Sequence, residues 1–474
     1  MTKEKQVLIM GGGPAGLAAG CLLSRKQIPV VVCEKENAVG GIARTICKGD
    51  FRYDLGGHRF FTKNQEVFNL VENLMGEEFG LVPRTSKIYY KKKYFDYPLK
   101  PLNALFGMGF LTSLKIIADY SREHFKSIFC KPKIESLEDW VVNKFGRTLF
   151  EMYFKTYTEK VWGIDCKKIG AEWVAQRIKG LSLRVAIANA LFKSEKNRPK
   201  TLIEEFHYPK LGIGRISERF KEEIEKNNNR VLLSHRVKRI NRDGFQIKSV
   251  VVEENCGESI LEAAGFISSI PFTELVGIME PSAPGEILEA AHHLRYRELI
   301  TVTLMLDKKQ VTENTWIYIH DPEITFGRLH EPKNWSRAMA TPDKTSIVAE
   351  YFCFKGDSIW NKSDRELIDL TINEMANKLG LVASQEIIDA DVSRVEKAYP
   401  LYEIGYRKHY ETVKNFIKNF RNLQIIGRYG TYKYNNMDHS IETGMKAALN
   451  VLGADYDIDE VNKIQQYHEE VKHS

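Results

Sequence analysis

The chain begins with a short apolar strand that runs directly into a glycine-rich turn and a helix. Residues 7–10 read VLIM and are followed by GGGPAGLAAGCLLSRK, in which Gly11, Gly13 and Gly16 have the spacing GxGxxG. Bare backbone in such a turn can approach a phosphate closely, and the amino end of the following helix favours negative charge. The motif therefore predicts a Rossmann-like start to the fold.

An acidic residue follows at the distance that dinucleotide-binding folds require. The stretch IPVVVCEK predicts a second buried strand that ends at Glu34, about 20 residues after the glycines. A carboxylate at that place binds ribose hydroxyls. A lone glycine motif is weak evidence, but strand, glycines, helix, strand and acid together predict a dinucleotide site.

Further glycines indicate which dinucleotide is bound. Gly40 and Gly41 expose bare backbone again, and Arg44 offers a planar guanidinium to a phosphate or a flavin carbonyl. Asp54 then precedes another Gly-Gly pair at 56–57. This succession resembles the amine-oxidase superfamily of flavoproteins, which implies a non-covalently bound FAD.

The resemblance continues in distant segments. NNNRVLLSHRVKRI places Val237 where the superfamily lays backbone along the adenine, and AAGFISSIP is similar to the strand that closes the sheet. LQIIGRYGTYKYNNMDHSIETGMKAALNVLG resembles the last FAD-binding element of the superfamily. The resemblance implies this cofactor-binding set: Gly11, Gly13, Pro14, Ala15, Gly16, Glu34, Gly40, Gly41, Arg44, Gly56, Gly57, His58, Val237, Gly427, Arg428, Asp438, His439 and Ser440.

The length of the chain predicts more than one hydrophobic core, because 474 residues exceed what a single core usually accommodates. Residues 1–80, 200–290 and 395–474 are predicted to form one discontinuous FAD-binding domain. Residues 81–199 have largely helical spacing and residues 291–394 have shorter β-rich runs. The predicted class is therefore α/β, a Rossmann-like FAD-binding domain with inserted helical and antiparallel β substrate regions.

Composition restricts the other classes of protein. Seven cysteines without a CxxC pair predict reduced thiols, no disulfide and no metal site. The amino terminus lacks the apolar region of a signal peptide and no stretch reaches the length of a membrane-spanning helix, so we expect a cytoplasmic protein.

The charge of the chain permits a small anionic ligand. A net charge of +7 is spread along the sequence, which is also compatible with loose membrane contact. The basic and aromatic run KIYYKKKYFDY at 87–97 could touch nucleic acid, but we interpret it as a half-buried strand with a solvated lysine face. We therefore expect no nucleic-acid partner.

Four segments of the inserted regions resemble UDP-galactopyranose mutase, and more the eukaryotic type than the short bacterial type. They include KVWGIDCKKIGAEWVAQRIKG, FHYPKLGIG, TWIYIHDPEITFGRLHEPKNWS, and the pair KAYPLYEIGY and GRYGTYKYNNMDHS. Arg177 and Arg328 match the two mutase arginines that hold the substrate diphosphate, although either could be an ordinary surface charge. The resemblance implies this substrate-binding set: Arg177, Tyr318, Arg328, Tyr399 and Tyr434. By residue type alone, those tyrosines are more often core aromatics than ligands, and the motifs make the two interpretations about equal.

The mutase resemblance implies chemistry without net oxidation or reduction. FAD acts when reduced, as a nucleophile toward the sugar, while the protein holds the diphosphate and excludes water. The predicted partner is a nucleoside diphosphate sugar, the predicted setting is polysaccharide biosynthesis, and NAD(P)H is one candidate external reductant. The sequence is compatible with a homo-oligomer.

The loop DLGGHRFF supplies the two residues that we expect to act on the reaction, His58 and Arg59. His58 matches a mutase histidine beside flavin N5, which favours a flavin-tuning role; a buried structural histidine is the alternative. Arg59 departs from the eukaryotic mutases, which carry small or apolar residues there, and the final loop before Asp438 is shorter. Other activated sugars, such as deoxy or amino sugars, therefore stay open.

Two other classes of function also stay open. A redox flavoenzyme, such as a protoporphyrinogen oxidase, an amine oxidase or a desaturase, is favoured by the apolar stretch LNALFGMGFL at 102–111. Two candidate diphosphate arginines and 21 tyrosines favour a polar anionic ligand instead. A flavin-dependent subunit of a polysaccharide-assembly complex is the third class.

Overall fold

The glycine turn follows the central strand of a five-stranded parallel sheet. The computed structural model describes residues 6–97, 110–129, 133–171, 205–254 and 257–462. In spatial order the strands of this sheet are β20 (Leu423–Ile425), β13 (Gly265–Ser268), β1 (Val7–Met10), β2 (Val30–Cys33) and β9 (Arg230–Leu232). Every neighbouring pair is parallel. Three widely separated parts of the chain therefore build one sheet.

Both faces of the parallel sheet are buried, which explains the unbroken apolar runs VLIM and VVVC. Ile9 and Val32 lie in the core on one face, whereas Leu8 and Val31 lie in the core on the other. The first face is covered by α1 (Pro14–Arg25), α2 (Gln65–Met75), α6 (Gly214–Lys226) and α12 (Met437–Val451). The second face is covered by β10 (Arg236–Asp243), β11 (Gln246–Glu254), β12 (Gly257–Glu262), β14 (Met279–Glu280), α7 (Phe272–Gly277), α8 (Gly285–His292) and α10 (Tyr406–Lys418).

A second large sheet carries most of the inserted β region. In spatial order its strands are β19 (Ile387–Pro400), β15 (Tyr296–Leu306), β18 (Thr345–Cys353), β17 (Arg328–His330), β16 (Trp316–Ile319), β6 (Ser86–Tyr90) and β7 (Lys93–Asp96). Neighbours are antiparallel except β16 and β6. Every residue of β15 and β18 is buried, and α9 (Asp364–Asn373) packs against one face. The predicted α/β class with an added antiparallel region is confirmed.

The basic run at 87–97 is a hairpin, so the prediction of one continuous strand is wrong. β6 and β7 pair antiparallel, and the turn between them consists of Lys91 and Lys92, with φ of 48° and 59°. Tyr89 and Phe95 are buried, while the turn lysines are exposed. The turn escaped prediction because it has neither glycine nor asparagine, the residues that normally mark positive φ.

The helical segment that contains the KVWG motif includes several breaks. Its elements are α3 (Phe110–Phe129), α4 (Leu137–Phe145), a π-helical stretch (Phe150–Lys155) and α5 (Thr156–Trp162). Helix α5 ends at Trp162. Gly163 follows with φ of 68°, and a Cβ there would lie 2.4 Å from Cζ of Arg297. The glycine of the motif is therefore required by a buried arginine.

Two cations fasten α5 to the second sheet. Arg297 donates from Nε to the Val161 carbonyl at 3.0 Å and from Nη2 to the Phe352 carbonyl at 2.7 Å. Lys160 Nζ donates to three carbonyls, that of residue 319 at the end of β16 and those of residues 321 and 324 in the segment that follows, at 2.7–3.0 Å. Burial lowers the pKa of Lys160 to about 8. The motif thus connects the helical and β regions.

The structure bears on the predictions about cysteines, metal sites and membrane-spanning helices only for the residues that it describes. Within the described ranges, the cysteines at 21, 33, 47, 166 and 353 are free thiols, and no cluster of three metal-ligating side chains occurs. None of the helices in those ranges combines the length and hydropathy needed to cross a membrane. The division into an FAD-binding domain and two substrate regions stays a prediction.

Asp54 joins three parts of the fold. It ends β4 (Phe51–Asp54), which pairs with β3 (Thr45–Lys48). Its carboxylate accepts hydrogen bonds from Thr45 Oγ1 at 2.6 Å, the Tyr208 hydroxyl at 2.5 Å and the Ile213 N–H at 3.2 Å. Tyr208 lies on β8 (Glu205–Pro209), which pairs with β5 (Phe79–Pro83). Burial raises the pKa of Asp54 to about 7, although the three donors oppose this shift.

We expect Asp54→Ala to lower the free energy of unfolding by roughly 3 kcal/mol, because three buried donors lose their acceptor. Asp54→Asn should lower the free energy of unfolding by only about 1 kcal/mol, since the amide resembles the neutral acid and keeps an acceptor oxygen. A group whose pKa is raised on folding loses stabilising effect as pH rises toward that pKa, so the advantage of wild type over Asp54→Asn should narrow from pH 5 to pH 8. Urea denaturation of the holoprotein at both pH values tests this; equal losses for the two variants would contradict it.

Candidate functional site

The glycine turn after β1 is closed by backbone contacts but leaves one position open. Gly11 has φ of 109°, and its N–H donates to the Cys33 carbonyl at 2.8 Å. A Cβ at Gly16 would lie 2.1 Å from the Gly11 carbonyl oxygen, so only glycine fits there. A Cβ at Gly13 would meet no atom within 4 Å. Gly13 therefore borders free space at the amino end of α1.

Helix α1 begins at Pro14, and no side chain in the described part of the chain caps it at Gly13. The first N–H groups of a helix need acceptors, and an anion can supply them. The middle of α12 packs tightly here, because a Cβ at Gly444 would lie 2.1 Å from the Ala15 carbonyl oxygen. A Cβ at Gly427, in the short helix α11 (Gly427–Gly430), would lie 2.9 Å from Ala15 Cβ. The distant glycines therefore lie beside the glycine turn.

Glu34 lies at the end of β2, directly beside the turn. Its Oε2 accepts from the Gly12 N–H at 2.7 Å and its Oε1 from the Glu36 N–H at 2.9 Å. Burial raises the pKa of Glu34, and these hydrogen bonds oppose the shift. The His235 N–H donates to the Glu34 carbonyl at 2.8 Å, so the segment leading to half-buried Val237 lies against the acidic residue.

The second glycine pair contacts the first. The Gly40 N–H donates to the carbonyl of residue 12 at 2.9 Å, and Gly40 and Gly41 have φ of 107° and 55°. Arg44 Nη1 lies 3.5 Å from Glu36 Oε2. The buried Nε of Arg44 has no hydrogen-bond partner among the described residues. A guanidinium donor therefore remains unused beside the turn.

The loop at 56–58 is held by protein side chains. Gly56 has φ of 84°, and a Cβ at Gly57 would lie 2.4 Å from Cη2 of Trp316. The Gly57 N–H donates to Glu350 Oε1 at 3.1 Å. We expected these glycines to be bare so that a flavin could approach; the structure gives another reason, since Trp316 occupies the space of a side chain at Gly57.

His58 is a neutral ring at physiological pH. Burial, followed by the nearby Arg428 cation, lowers the pKa of His58 to about 4. Its Nδ1 lies 3.1 Å from the Gly56 carbonyl, so Nδ1 carries the proton and Nε2 keeps a lone pair. Arg59 is half-buried and precedes Phe60, which is fully buried.

Three charged or aromatic side chains form a row across adjacent strands. Tyr318 on β16 is opposite Arg328 on β17, and Arg328 is opposite Glu350 on β18. Arg328 Nη2 donates to Glu350 Oε2 at 2.5 Å and to the Tyr399 hydroxyl at 2.9 Å. The Nε of Arg328 is buried without a partner in the described ranges. The guanidinium lies over the rings of Trp316 and Phe352, at 5.2 and 4.8 Å.

A second arginine lies on the other side of Tyr399. The rings of Tyr399 and Tyr434 stack at 5.5 Å, and Arg428 lies 5.4 and 4.8 Å from their centres. Arg428 also donates to the carbonyls of residues 435 and 398. Trp162 of the KVWG motif lies 6.3 Å from both tyrosine rings. Tyr318, Arg328, Tyr399, Arg428 and Tyr434 are called the arginine–tyrosine cluster below.

The structure adds residues that the sequence did not indicate. Tyr157 on α5 lies 5.9 Å from the Tyr318 ring and stacks on His320 at 4.4 Å. Glu350 is fully buried within β18. A lone carboxylate inside the apolar run SIVAEYFCF was a usable signal, because buried charges need partners. Tyr157 had no such signal, since its partners come from another region.

The amino end of α12 lies near these groups. Asp438, His439 and Ser440 are buried in its first turn, and the Asn436 N–H donates to His439 Nδ1 at 3.2 Å. Burial lowers the pKa of His439 to about 4. Of all the predicted site residues, Arg177 alone lies outside the described residues.

The sequence profile of flavin-containing amine oxidoreductases matches residues 14–452, most of the chain. The chain belongs to that family. The elements predicted to bind the cofactor lie within the matched region, except Gly11 and Gly13. Family membership implies the flavin cofactor predicted from the sequence.

Solved structures with this fold include reduced UDP-galactopyranose mutase, which is 20% identical with a TM-score of 0.83 and aligns over 98% of this chain and 97% of that one. A putative protoporphyrinogen oxidase from Exiguobacterium is 18% identical with a TM-score of 0.69, over 95% and 100%. At these identities the likeness establishes the fold.

Two curated relatives match shorter stretches of this family member. A dTDP-fucopyranose mutase from Escherichia coli is 27% identical over 35% of this chain and 44% of its own length. A 4,4'-diapophytoene desaturase from Methylomonas is 32% identical over 22% of this chain and 18% of its own length. The chain thus spans less than half the length of either relative.

The described residues fit the FAD that the family implies. Open space at Gly13, an amino end of α1 without a side-chain cap, and the unpartnered Nε of Arg44 together suit a pyrophosphate. Half-buried His58 is a neutral group on a glycine loop close to Arg428. The pyrophosphate and the flavin ring of FAD therefore both have suitable partners.

We expect Gly13→Ala to fold normally, because its Cβ would meet open space and its φ is −78°. It should nevertheless retain roughly tenfold less FAD, since the methyl group occupies the pyrophosphate side of the turn. Gly16→Ala is the contrast, because its Cβ would clash with the Gly11 carbonyl and damage the fold. Circular dichroism and the flavin-to-protein absorbance ratio separate the two effects; full FAD content in Gly13→Ala would contradict the placement.

We expect Glu350→Gln to change the visible spectrum of bound FAD and to lower the free energy of unfolding by about 3 kcal/mol, because Arg328 loses a buried partner. Glu374→Gln is a matched control, since Glu374 is equally buried and binds Thr325 away from the loop at 56–58. The control should be destabilised without a spectral change. Identical spectra for both variants would show that Glu350 does not act on the loop.

Proposed function

We propose that the protein is an FAD-dependent mutase that interconverts the pyranose and furanose forms of a sugar carried on a nucleoside diphosphate. It would act in the cytoplasm, in the supply of activated sugars for polysaccharide assembly. An external reductant such as NAD(P)H would keep the flavin reduced. The fold of UDP-galactopyranose mutase and the partial match to dTDP-fucopyranose mutase support this proposal.

The proposal assigns the cofactor to the elements around α1. The glycines of the first turn, with Pro14, Ala15 and Arg44, would hold the pyrophosphate, and Glu34 would hold the ribose. Val237 would lie along the adenine. The loop at 56–58 and the segments at 427–428 and 438–440 would hold the flavin ring. When bound and reduced, FAD supplies the nucleophile toward the sugar.

The observation that carries the proposal is the charge of the arginine–tyrosine cluster. Arg328 and Arg428 bring two guanidinium groups together, whereas Glu350 is the carboxylate that contacts Arg328 directly. The unpartnered buried Nε of Arg328 would gain an acceptor from a bound diphosphate oxygen. A positively charged site lined by tyrosines therefore suits an anionic, sugar-bearing ligand.

Hydroxyl and ring groups of the cluster complete the proposed roles. Because the Tyr399 hydroxyl accepts from Arg328, its own proton stays available for a ligand oxygen. Tyr318, Tyr434 and Tyr157 would offer flat faces to sugar and base. His58 would accept a hydrogen bond at Nε2 while remaining uncharged, which matches the predicted flavin-tuning role. Arg59 stays a candidate for substrate contact.

A redox function is the second candidate, because the family is named for amine oxidoreductases and one relative is a desaturase. The cluster disfavours it on physical grounds. A cationic amine would be repelled by two arginines, and an apolar isoprenoid would leave their charges desolvated. The apolar stretch at 102–111, which would favour this function, lies almost wholly outside the described residues.

The test uses the purified holoprotein under anaerobic conditions with UDP-galactose and dTDP-fucose. We expect interconversion of ring forms only after dithionite reduction. Arg328→Ala should lower kcat/KM at least a hundredfold and Arg328→Lys less, because lysine keeps the charge but loses the fork. Arg177→Ala should weaken nucleotide binding. Arg365→Ala is the control, since that side chain is 85% exposed in an i,i+4 pair.

A redox enzyme would give a different result in the same experiment. Flavin reduction by an added amine, porphyrinogen or carotenoid precursor, with no conversion of either nucleotide sugar, would establish the redox function instead. Unchanged nucleotide affinity in both Arg177→Ala and Arg328→Ala would refute the placement of the diphosphate, even if the mutase activity were found.

A further inference from the structure

Asn462 lies against the loop that carries Tyr434 of the arginine–tyrosine cluster. Its Nδ2 donates to the Tyr434 carbonyl at 3.2 Å and to Asn435 Oδ1 at 3.0 Å. A carbonyl oxygen can only accept, so the side-chain atom that faces it must be the nitrogen of the amide. One side chain therefore holds two adjacent residues of the loop.

Asn435 extends this contact to the segment at 427–428. Asn435 and Thr431 are each 1% exposed. The Asn435 Nδ2 donates to Thr431 Oγ1 at 3.4 Å, and that hydroxyl donates to the Gly427 carbonyl at 2.7 Å. The Asn435 carbonyl accepts from Arg428 Nε at 2.8 Å. In a chain of hydrogen bonds that run in one direction each bond strengthens the next, so Asn462 is linked to both residues of the segment.

The backbone at Asn462 restricts which residues fit there. Its φ is 61°, in the left-handed region that asparagine and glycine adopt most readily. Glycine would fit the backbone but has no amide to donate to the loop. Asparagine meets both requirements of this position.

An ion cluster fixes the turn that precedes this residue. Asp459 is buried, and its Oδ2 lies 2.9 Å from Lys414 Nζ and 3.5 Å from Lys418 Nζ, both on α10. Lys433 donates to the Asp459 carbonyl and lies 3.8 Å from its Oδ1. Burial acts to raise the pKa of Asp459, but the lysines outweigh it and lower the pKa, so the carboxylate stays charged. The turn is thereby fastened to α10 and to the loop at 433–435.

We propose that Asn462 is a positioning residue for the arginine–tyrosine cluster. It holds the Tyr434 backbone directly and the Arg428 guanidinium through Asn435, and Asp459 anchors the turn that brings it there. The inference rests on the proposed function for the identity of the ligand, whereas the hydrogen bonds that carry it do not depend on that function. A guanidinium that loses its fixed direction would bind a diphosphate less tightly.

The test replaces Asn462 with glycine, which accepts the same φ and removes only the amide. Binding of UDP and of dTDP to the oxidised holoprotein is measured by calorimetry. We expect Asn462→Gly to bind these nucleotides roughly tenfold more weakly and to change the visible spectrum of bound FAD, because the loop loses two hydrogen bonds. Asn462→Asp keeps the shape but turns oxygens toward two acceptors, so it should weaken binding at least as much.

Asn228→Gly is the matched control, because Asn228 has φ of 58° and lies in an exposed turn before β9. It should leave the nucleotide affinity and the flavin spectrum unchanged, and all three variants should keep their FAD. The inference is overturned if Asn462→Gly lowers only the unfolding temperature, while nucleotide affinity and flavin spectrum stay those of wild type. A wild-type protein that binds neither UDP nor dTDP would refute the proposed function instead, and the flavin spectra of the variants would then decide the inference.

Discussion

The carboxylate of Glu350 connects the two parts of the candidate site. One oxygen accepts from the Gly57 N–H and the other from Arg328, so the loop at 56–58 and the arginine–tyrosine cluster share one buried anion. A buried charge costs several kcal/mol unless it is paired and fully hydrogen-bonded. If the Gly57 N–H or the Arg328 guanidinium moved away, Glu350 would lose a partner and the structure would lose part of that free energy. Trp316 strengthens the connection, because its indole packs on Gly57 and beneath the Arg328 guanidinium.

The sequence alone predicted those features that depend on the spacing of residues close together in the chain. The GxGxxG turn, Glu34 and the strand–helix–strand unit that carries them could be predicted because their determinants lie within about 30 residues of one another. The β6–β7 hairpin was missed because its turn carries lysines at positive φ. Glu350 and Tyr157 were missed because their meaning comes from cross-strand register and helix docking, which bring together residues from 157 to 434. The tyrosines and arginines of the cluster were identified only through a family resemblance, not through any spacing rule.

The family is named for the oxidation of amines, whereas the candidate site suits an anionic ligand. The two are compatible, because the cofactor and the substrate contact different residues. A dinucleotide fold binds the cofactor with one set of elements and leaves the surface above the flavin free to vary. We assign the glycine turn, Glu34 and Arg44 to the first part. We assign the arginine–tyrosine cluster to the second part, because its two guanidinium groups among tyrosines stabilise negative charge rather than an apolar or cationic substrate. Function in such a family therefore has to be inferred from the residues over the flavin.

Arg297 has a consequence for how a ligand enters. Its guanidinium binds carbonyls at the end of α5 and on β18 at once, while Lys160 binds the segment between β16 and β17. Trp162, Glu350 and Tyr318 therefore lie on elements that are joined by these buried hydrogen bonds, and we expect the elements to move together. We do not expect α5, β16 and β18 to separate when a ligand enters. Admission of a bulky ligand must then depend on side-chain rotation within the cluster or on movement of chain outside these elements. Changes to Lys160 or Gly163 of the KVWG motif would alter the shape of the site without removing a residue of the cluster.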